Sequence, residues 1–551
     1  MFEAIILLLH TLYPRDHCAL TRVGFTIGVL LTGLSGGGDL HTSSVLPATT
    51  APAEPSVDDV LANVRKAIGY EQLKRYEHGI IVEGTTDEYW VDGKYSLMFA
   101  QDGKFIEKVD SKLSRSFGFD GTTGWAVDYA GVPQRVDLAE LELEQLLIWV
   151  YAMRWLDPNN GYSIALLDQY TDDQRVALSI KLNSGVWEMW LVIERSTWLP
   201  TSIYILPNLK GHIMRLEDYR PALGFRIPHR ILKSNSGPII KTVIHSVRAA
   251  PIAIQIAYAP LSKRPGDTRF NQEIPPDVEC KITETHHVLV HPRIDGQDVG
   301  WFLLDTGSSH MIVDRKVADR LHMPSLGQES IAAAGGGIGE ARNRRGRTFE
   351  LGPITISSPL YYEVDLSDLN PSMNVELAGV CGYDLFRRAV IELGIAHRSV
   401  RIYDPDTYRR EHTDWQEFFY TTRRPSVYCR FEGDRTGLFT IDTGSNSTAS
   451  FHTATVKKFD LLTGKKVTRG KNRSVVGEYE NLNGNIHWFE IGGNRVDGNP
   501  PVSFEIGEAG WVRNLLADGN IGTAFLVSFK IIFDYPHKRI AFIKLDDTKE
   551  E

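Results

Sequence analysis

Trp301-Phe302-Leu303-Leu304-Asp305-Thr306-Gly307-Ser308 and Leu438-Phe439-Thr440-Ile441-Asp442-Thr443-Gly444-Ser445 are the two stretches that decide the fold. In each, a short apolar run of strand character ends in a carboxylate. The Thr that follows offers a hydroxyl for a local hydrogen bond, and the Gly permits a tight turn. The strand therefore delivers its Asp to a loop at the face of a domain.

Working outward, residues 294–308 align without gaps on 431–445 at an offset of 137 residues. Downstream, Gly379-Val380-Cys381-Gly382 with Phe386 and His397 aligns on Gly519-Asn520-Ile521-Gly522 with Leu526 and His537 at an offset of 140. One Asp-Thr-Gly-Ser string arises by chance in about one chain in a hundred of this length. Two, each ending the same hairpin pattern, mark an internal repeat. A single such Asp is an ordinary acid. Two brought together cannot both ionise comfortably, so they share a proton and titrate as a pair. The ionised member can take a proton from a bound water while the neutral member donates to a scissile carbonyl, which is peptide hydrolysis by general acid–base catalysis without a metal or other cofactor.

At this point the chain resembles the aspartic proteases, specifically the retropepsin-like family with its Asp-Thr-Gly motif and later apolar-apolar-Gly segment. Two copies in one chain imply a bilobal, pepsin-like β-barrel arrangement, mainly β and monomeric, with lobe 1 over 278–410 and lobe 2 over 411–551. The resemblance makes Asp305 and Asp442 catalytic, with Thr306, Gly307, Ser308, Thr443, Gly444 and Ser445 shaping their loops and Gly382 and Gly522 packing behind them. It places substrate flaps at Gly335, Gly336 and Gly337 in lobe 1 and at Gly477 in lobe 2. It also lets the hydroxyls of Ser308 and Ser445 donate to the neighbouring carboxylates. Two departures concern lobe 2: Ala524 stands where lobe 1 has Asp384, and Asn520 opens the later segment.

Upstream, Val57, Val60, Leu61, Val64 and Ile68 recur at helical spacing between a Ser56/Asp59 capping pair and Gly69. From 79 to 136 the pattern becomes short β-prone runs, Ile80-Ile81-Val82, Tyr89-Trp90-Val91, Tyr95-Ser96-Leu97-Met98 and Trp125-Ala126-Val127. The turn residues Asp92-Gly93 and Asp120-Gly121 fall between them. A second helix is predicted over 138–156, ending before Asp157-Pro158, and further strands run to 250. The order of elements and Phe119-Asp120-Gly121-Thr122-Thr123-Gly124-Trp125 give residues 56–257 a resemblance to the α+β incomplete barrel of LolA-like lipoprotein carriers. That resemblance implies a groove for a hydrophobic ligand, a lipoprotein or an extended peptide. The Pro-, Lys- and Arg-rich stretch 258–277 reads as a linker.

Residues 1–55 hold two apolar runs, 4–9 and 23–34, each short of the ~20 residues that span a bilayer. With Arg15 and Arg22 before the second run and a Pro/Ala/Thr stretch after it, they read as a secretory leader and tether. The expected location is therefore exported: periplasmic, cell-envelope or secreted. The 551 residues are 42% hydrophobic and 23% charged, as in globular proteins. The net charge of −9 provides no cationic field for nucleic acid. Cys18, Cys280, Cys381 and Cys429 lack zinc-site spacing, so no metal is expected. His286, His287 and His310 read as surface residues, and Arg342, Arg344, Arg345 and Arg347 as a solvated hairpin arm.

The functional expectation is an aspartic endopeptidase acting on peptide or protein substrates. The alternative is a protease-fold binding protein that has lost activity and carries lipid or lipoprotein on its first domain.

Overall fold

The computed structural model describes residues 55–129, 131–157, 162–182, 187–206, 212–234, 239–251, 265–332, 338–474, 477–507 and 516–545. The leader reading (residues 1–54), Gly335, Gly336 and Gly337, and the linker up to residue 264 lie outside the described residues.

The first helix, Val57–Ile68, forms where its caps direct. Ser56 accepts from the Asp59 N–H while the Asp59 carboxylate accepts from the Ser56 N–H, and Gly69 stops the helix at φ 79°. A Cβ at residue 69 would lie 2.9 Å from the Gly224 carbonyl oxygen, so the stop is also a close approach. Val60, Leu61, Val64 and Ile68 are buried, each burial contributing about 1.5–3 kcal/mol. A charge at Val64, fully buried in this core, would break the docking.

The strands that follow make one 13-stranded sheet. Two meanders are joined where Ile80–Glu88 pairs antiparallel with Ile240–Ala249, leaving Pro133–Val136 and Tyr162–Leu166 as edges. The helix Leu138–Ala152 connects those edges in sequence and shares a core with the first helix through Leu146, Ile148 and Tyr151. It ends earlier than predicted because Met153 turns left-handed at φ 49°, and Arg154–Leu156 continues as a 3-10 turn.

The first hairpin also departs from the prediction. Glu88 pairs with Val91, so Tyr89 and Trp90, at φ 56° and 61°, are the two-residue turn. Asp92 and Gly93 lie inside the strand Val91–Phe99. Gly93 serves packing there, since a Cβ would come within 2.9 Å of Ser111.

In the second half the repeat becomes topology. Trp301–Leu304 runs parallel to Leu377–Cys381, which is antiparallel to Ile312–Asp314, which is parallel to Leu360–Val364. Arg435–Ile441, Gly519–Ile521, Ala449–Phe451 and Pro501–Glu505 reproduce the same three relations. The copies share a further sheet in which Val390–Gly394 pairs antiparallel with Phe529–Asp534. Val390 lies opposite Asp534 and Gly394 opposite Lys530, a register that maps onto itself under the offset of 140. One apolar core runs through both copies, with Phe302, Phe386, Phe439 and Phe533 fully buried in it.

Within the stretch read as linker, Thr268–Phe270 is a strand paired with Ile354–Ser357, and Asp267 holds the buried Arg388 at 2.7 Å. The arginine arm is not uniformly solvated either. Arg344 is half-buried, and with Arg342 it neutralises Glu363, which is 2% exposed.

Candidate active site

Each Asp leaves its strand with its backbone already committed. The Asp305 N–H donates to the Cys381 carbonyl at 3.0 Å, and the Asp442 N–H to the Ile521 carbonyl at 2.9 Å. The chain then turns so that the Gly307 N–H donates to Asp305 Oδ1 at 2.7 Å and the Gly444 N–H to Asp442 Oδ1 at 2.9 Å.

Glycine is required at both positions by contact across the pair. A Cβ on Gly307 would sit 2.3 Å from a carboxyl oxygen of Asp442, and one on Gly444 would sit 2.3 Å from the carboxyl carbon of Asp305. The carboxylates, 137 positions apart in sequence, therefore share one site, and both are half-buried.

The threonines do not bond locally as the sequence suggested. Thr306 Oγ1 donates to the Ile441 carbonyl at 2.7 Å and accepts from the Thr443 N–H at 3.0 Å. Thr443 Oγ1 donates to the Leu304 carbonyl at 2.7 Å and accepts from the Thr306 N–H at 3.0 Å. Both threonines are buried, so four polar groups that would otherwise lack partners are satisfied across the two copies.

Gly382 and Gly522 lie directly behind the loops. A Cβ on the first would come within 2.2 Å of the His310 carbonyl oxygen, and on the second within 2.5 Å of the Ser445 carbonyl oxygen.

The serines depart from the expectation. Ser308 Oγ donates to the His310 carbonyl at 2.8 Å, and Ser445 Oγ pairs with Ser447 Oγ at 2.9 Å, so their described hydrogen bonds go to the loop ends and not to the dyad. Gly477 begins the strand Gly477–Asn485, which pairs with Thr468–Ser474 in the hairpin read as the second flap.

The surroundings of the two acids differ. Asn520 Nδ2 donates to Asp442 Oδ2 at 3.0 Å, whereas its counterpart Val380 has nothing to donate. Asp384 accepts from the Met311 N–H at 2.8 Å and fastens the first loop's exit, a bond that Ala524 cannot make. Burial, and next the charge of Asp442, push the Asp305 carboxyl well above the usual carboxylate range, against the opposing pull of the Gly307 N–H and Arg424.

Two residues at this site escaped the sequence reading. His287, expected at the surface, is 4% exposed. Its Nε2 donates to the Gly444 carbonyl at 3.1 Å, and its Nδ1 faces Thr285 Oγ1 at 2.7 Å. Arg424 donates through Nε to the Gly307 carbonyl. The signal was available, because continuing the gapless alignment upstream sets Thr285-His286-His287 on Thr422-Arg423-Arg424. His310 is likewise not an isolated surface residue. It meets Arg423 Nη1 at 2.6 Å and stacks on Tyr362 at 4.0 Å. Among the described residues, no three His, Cys, Asp or Glu side chains gather so as to hold a metal ion.

Residues 290–385 match the family model described as aspartyl protease, a stretch that contains Asp305 and Gly382 and stops short of Asp442. The second half of the chain thus contains an aspartyl protease domain. We found no match among curated proteins. Among solved structures, the chain is similar to a LolA superfamily protein from Nitrosomonas europaea at 13% identity and a TM-score of 0.26, over 36% of this chain and 96% of that one. It is also similar to Basic 7S globulin from soybean at 12% identity and a TM-score of 0.30, over 52% of this chain and 98% of that one.

Proposed function

We propose that this chain is an aspartic endopeptidase whose two lobes, 278–410 and 411–551, each supply one acid of a single dyad. The reading is carried by the contact of each carboxyl with the glycine of the opposite loop. Asp305, whose carboxyl is held above the usual carboxylate range by burial and by the acid beside it, is the acid, and Asp442, with N–H donors on both carboxyl oxygens, is the base. A water held between them gives a proton to Asp442 as its oxygen bonds to the peptide carbonyl carbon. Asp305 gives its proton to the carbonyl oxygen. The resulting gem-diol collapses as the C–N bond breaks: the departing nitrogen takes the proton held on Asp442, and a diol hydroxyl returns its proton to Asp305, which leaves a carboxylic acid, an amine and the dyad in its starting state.

Both half-sites lie in the second half of the chain, so catalysis is that of a monomer. The first domain, 56–257, offers a hydrophobic ligand, a lipoprotein or an extended peptide a place to bind. The leader directs export to the periplasm, envelope or exterior.

The test is cleavage of a mixed peptide library by the purified chain, read by mass spectrometry. Asp305→Asn and Asp442→Asn should each lower turnover by at least about 10²–10⁴-fold, since an amide can neither share the proton nor activate water. Circular dichroism should be unchanged. Near-normal turnover in either variant sinks the two-acid mechanism. An inert wild type favours a binding protein.

A further inference from the structure

The two residues that escaped the sequence reading are equivalent under the repeat, since His287 and Arg424 are separated by the same 137 positions as the two acids. Each reaches out of its own copy to the glycine carbonyl of the other copy's catalytic loop. The loops are therefore clamped crosswise a second time, beyond the threonines, but with unlike groups.

A carbonyl only accepts, so His287 Nε2 carries the hydrogen. Burial favours the neutral imidazole, whose Nδ1 then accepts from the Thr285 hydroxyl 2.7 Å away. The guanidinium is different. Arg424 keeps its charge in proteins, and it is half-buried with its field acting on both Asp305 and Asp442.

We infer that Arg424 and His287 are a matched pair of positioning residues for the dyad, and that Arg424 alone also sets the dyad's proton occupancy through its fixed positive charge. The claim rests on the endopeptidase reading only for its kinetic readout.

The charged and titratable groups around this cluster come from every element that packs on it. Asp305 and Asp442 face Arg424 from the two loops, Tyr535 faces it from the turn after Phe529–Asp534, and Glu140 faces it from the helix Leu138–Ala152 of the first domain. His287 faces Asp442 from the opposite side. Glu140 also accepts from the Thr422 N–H at 3.3 Å, and Thr422 Oγ1 accepts from Arg424 Nη1 at 2.7 Å, so the first domain helps to hold the arginine's turn.

The sign of the effect follows from the charge. A cation beside the pair favours each more ionised form, so its loss moves both of the pair's macroscopic steps to higher pH. A neutral clamp of the same geometry has no such effect.

The experiment uses the full-length protein and the variants Arg424→Gln, Arg424→Lys and His287→Gln. Two readouts are taken across pH: kcat/KM on a cleaved peptide, and the rate at which an aryloxy epoxide alkylates the dyad, located by mass spectrometry. The epoxide needs no peptidase activity, because an ionised carboxylate opens it to an ester while the ring oxygen takes a proton from solvent.

Arg424→Gln should move both limbs of the profile, and the labelling curve, upward by about one unit or more. Arg424→Lys, which keeps the charge and loses the fork, should leave the limbs in place while lowering kcat. His287→Gln should lower kcat without moving the limbs. Superimposable curves for Arg424→Gln and wild type overturn the proposal, as does an equal shift in His287→Gln. Unfolding of both Arg424 variants by circular dichroism assigns the residue a structural role and overturns it too. A wild type that labels at the dyad but cleaves nothing removes the endopeptidase reading and leaves the labelling curve to decide Arg424.

Discussion

The loop at Asp305 and the loop at Asp442 share their turn geometry and almost none of their polar flanks. Both carboxyls accept from the glycine two residues on, both threonines bond across the pair, and both later glycines pack against the loop from behind. Around that frame, Val380 stands where the second copy has Asn520, Asp384 where it has Ala524 and His287 where it has Arg424. Position and protonation are thus separate problems here. Two acids can be brought within contact by symmetric devices, but they can be given different proton affinities only by asymmetric ones.

The largest effect should come from attacking what the loops have in common. Thr306→Val and Thr443→Val each strand a buried carbonyl and a buried N–H of the opposite copy, at a cost of about 2–6 kcal/mol for the two groups. Because the bonds match in length, the two variants should lower the thermal midpoint by similar amounts. A large inequality would mean that the frame is not shared.

A smaller effect should come from making the flanks alike. Asn520→Val removes the donor on Asp442 Oδ2, and a donor to a carboxylate favours its ionised form. The acidic limb of the activity profile should therefore move to higher pH, by less than the Arg424→Gln shift because a neutral dipole replaces a full charge. An unmoved acidic limb would show that Asn520 does not contribute to the difference.

The smallest effect should come from Ser308→Ala with Ser445→Ala. Their hydroxyls are engaged with the His310 carbonyl and with Ser447, so the profile should superimpose on wild type. A shifted limb would restore the donor role that the resemblance implied.

Much of this was legible in the sequence. The mainly β character, the repeat, the Asp-Thr-Gly loops and the first helix with its capping box follow from local patterns, because caps and tight turns are local physics. What was not legible depended on contacts made over long separations. The Thr306 hydroxyl could bond to its own loop or to a partner 137 positions away, and only the second satisfies the buried Ile441 carbonyl. His287 looked like surface because neither of its bonding partners lies in an apolar run around it. Asp92-Gly93 looked like a turn because propensity cannot see that Glu88 pairs with Val91.

The shared sheet has a consequence for synthesis. Val390–Gly394 pairs on one side with Ser399–Tyr403 of its own copy, but its other side is filled only by Phe529–Asp534, and the contact between Asp305 and Asp442 also waits on the second copy. A ribosome that has made the first copy has made one acid and a strand with one edge still open, and long-range pairings of this kind form slowly and late. No dyad exists until Asp442 has been made, and the open edge of Val390–Gly394 is exposed to wrong pairing until residues 529–534 emerge.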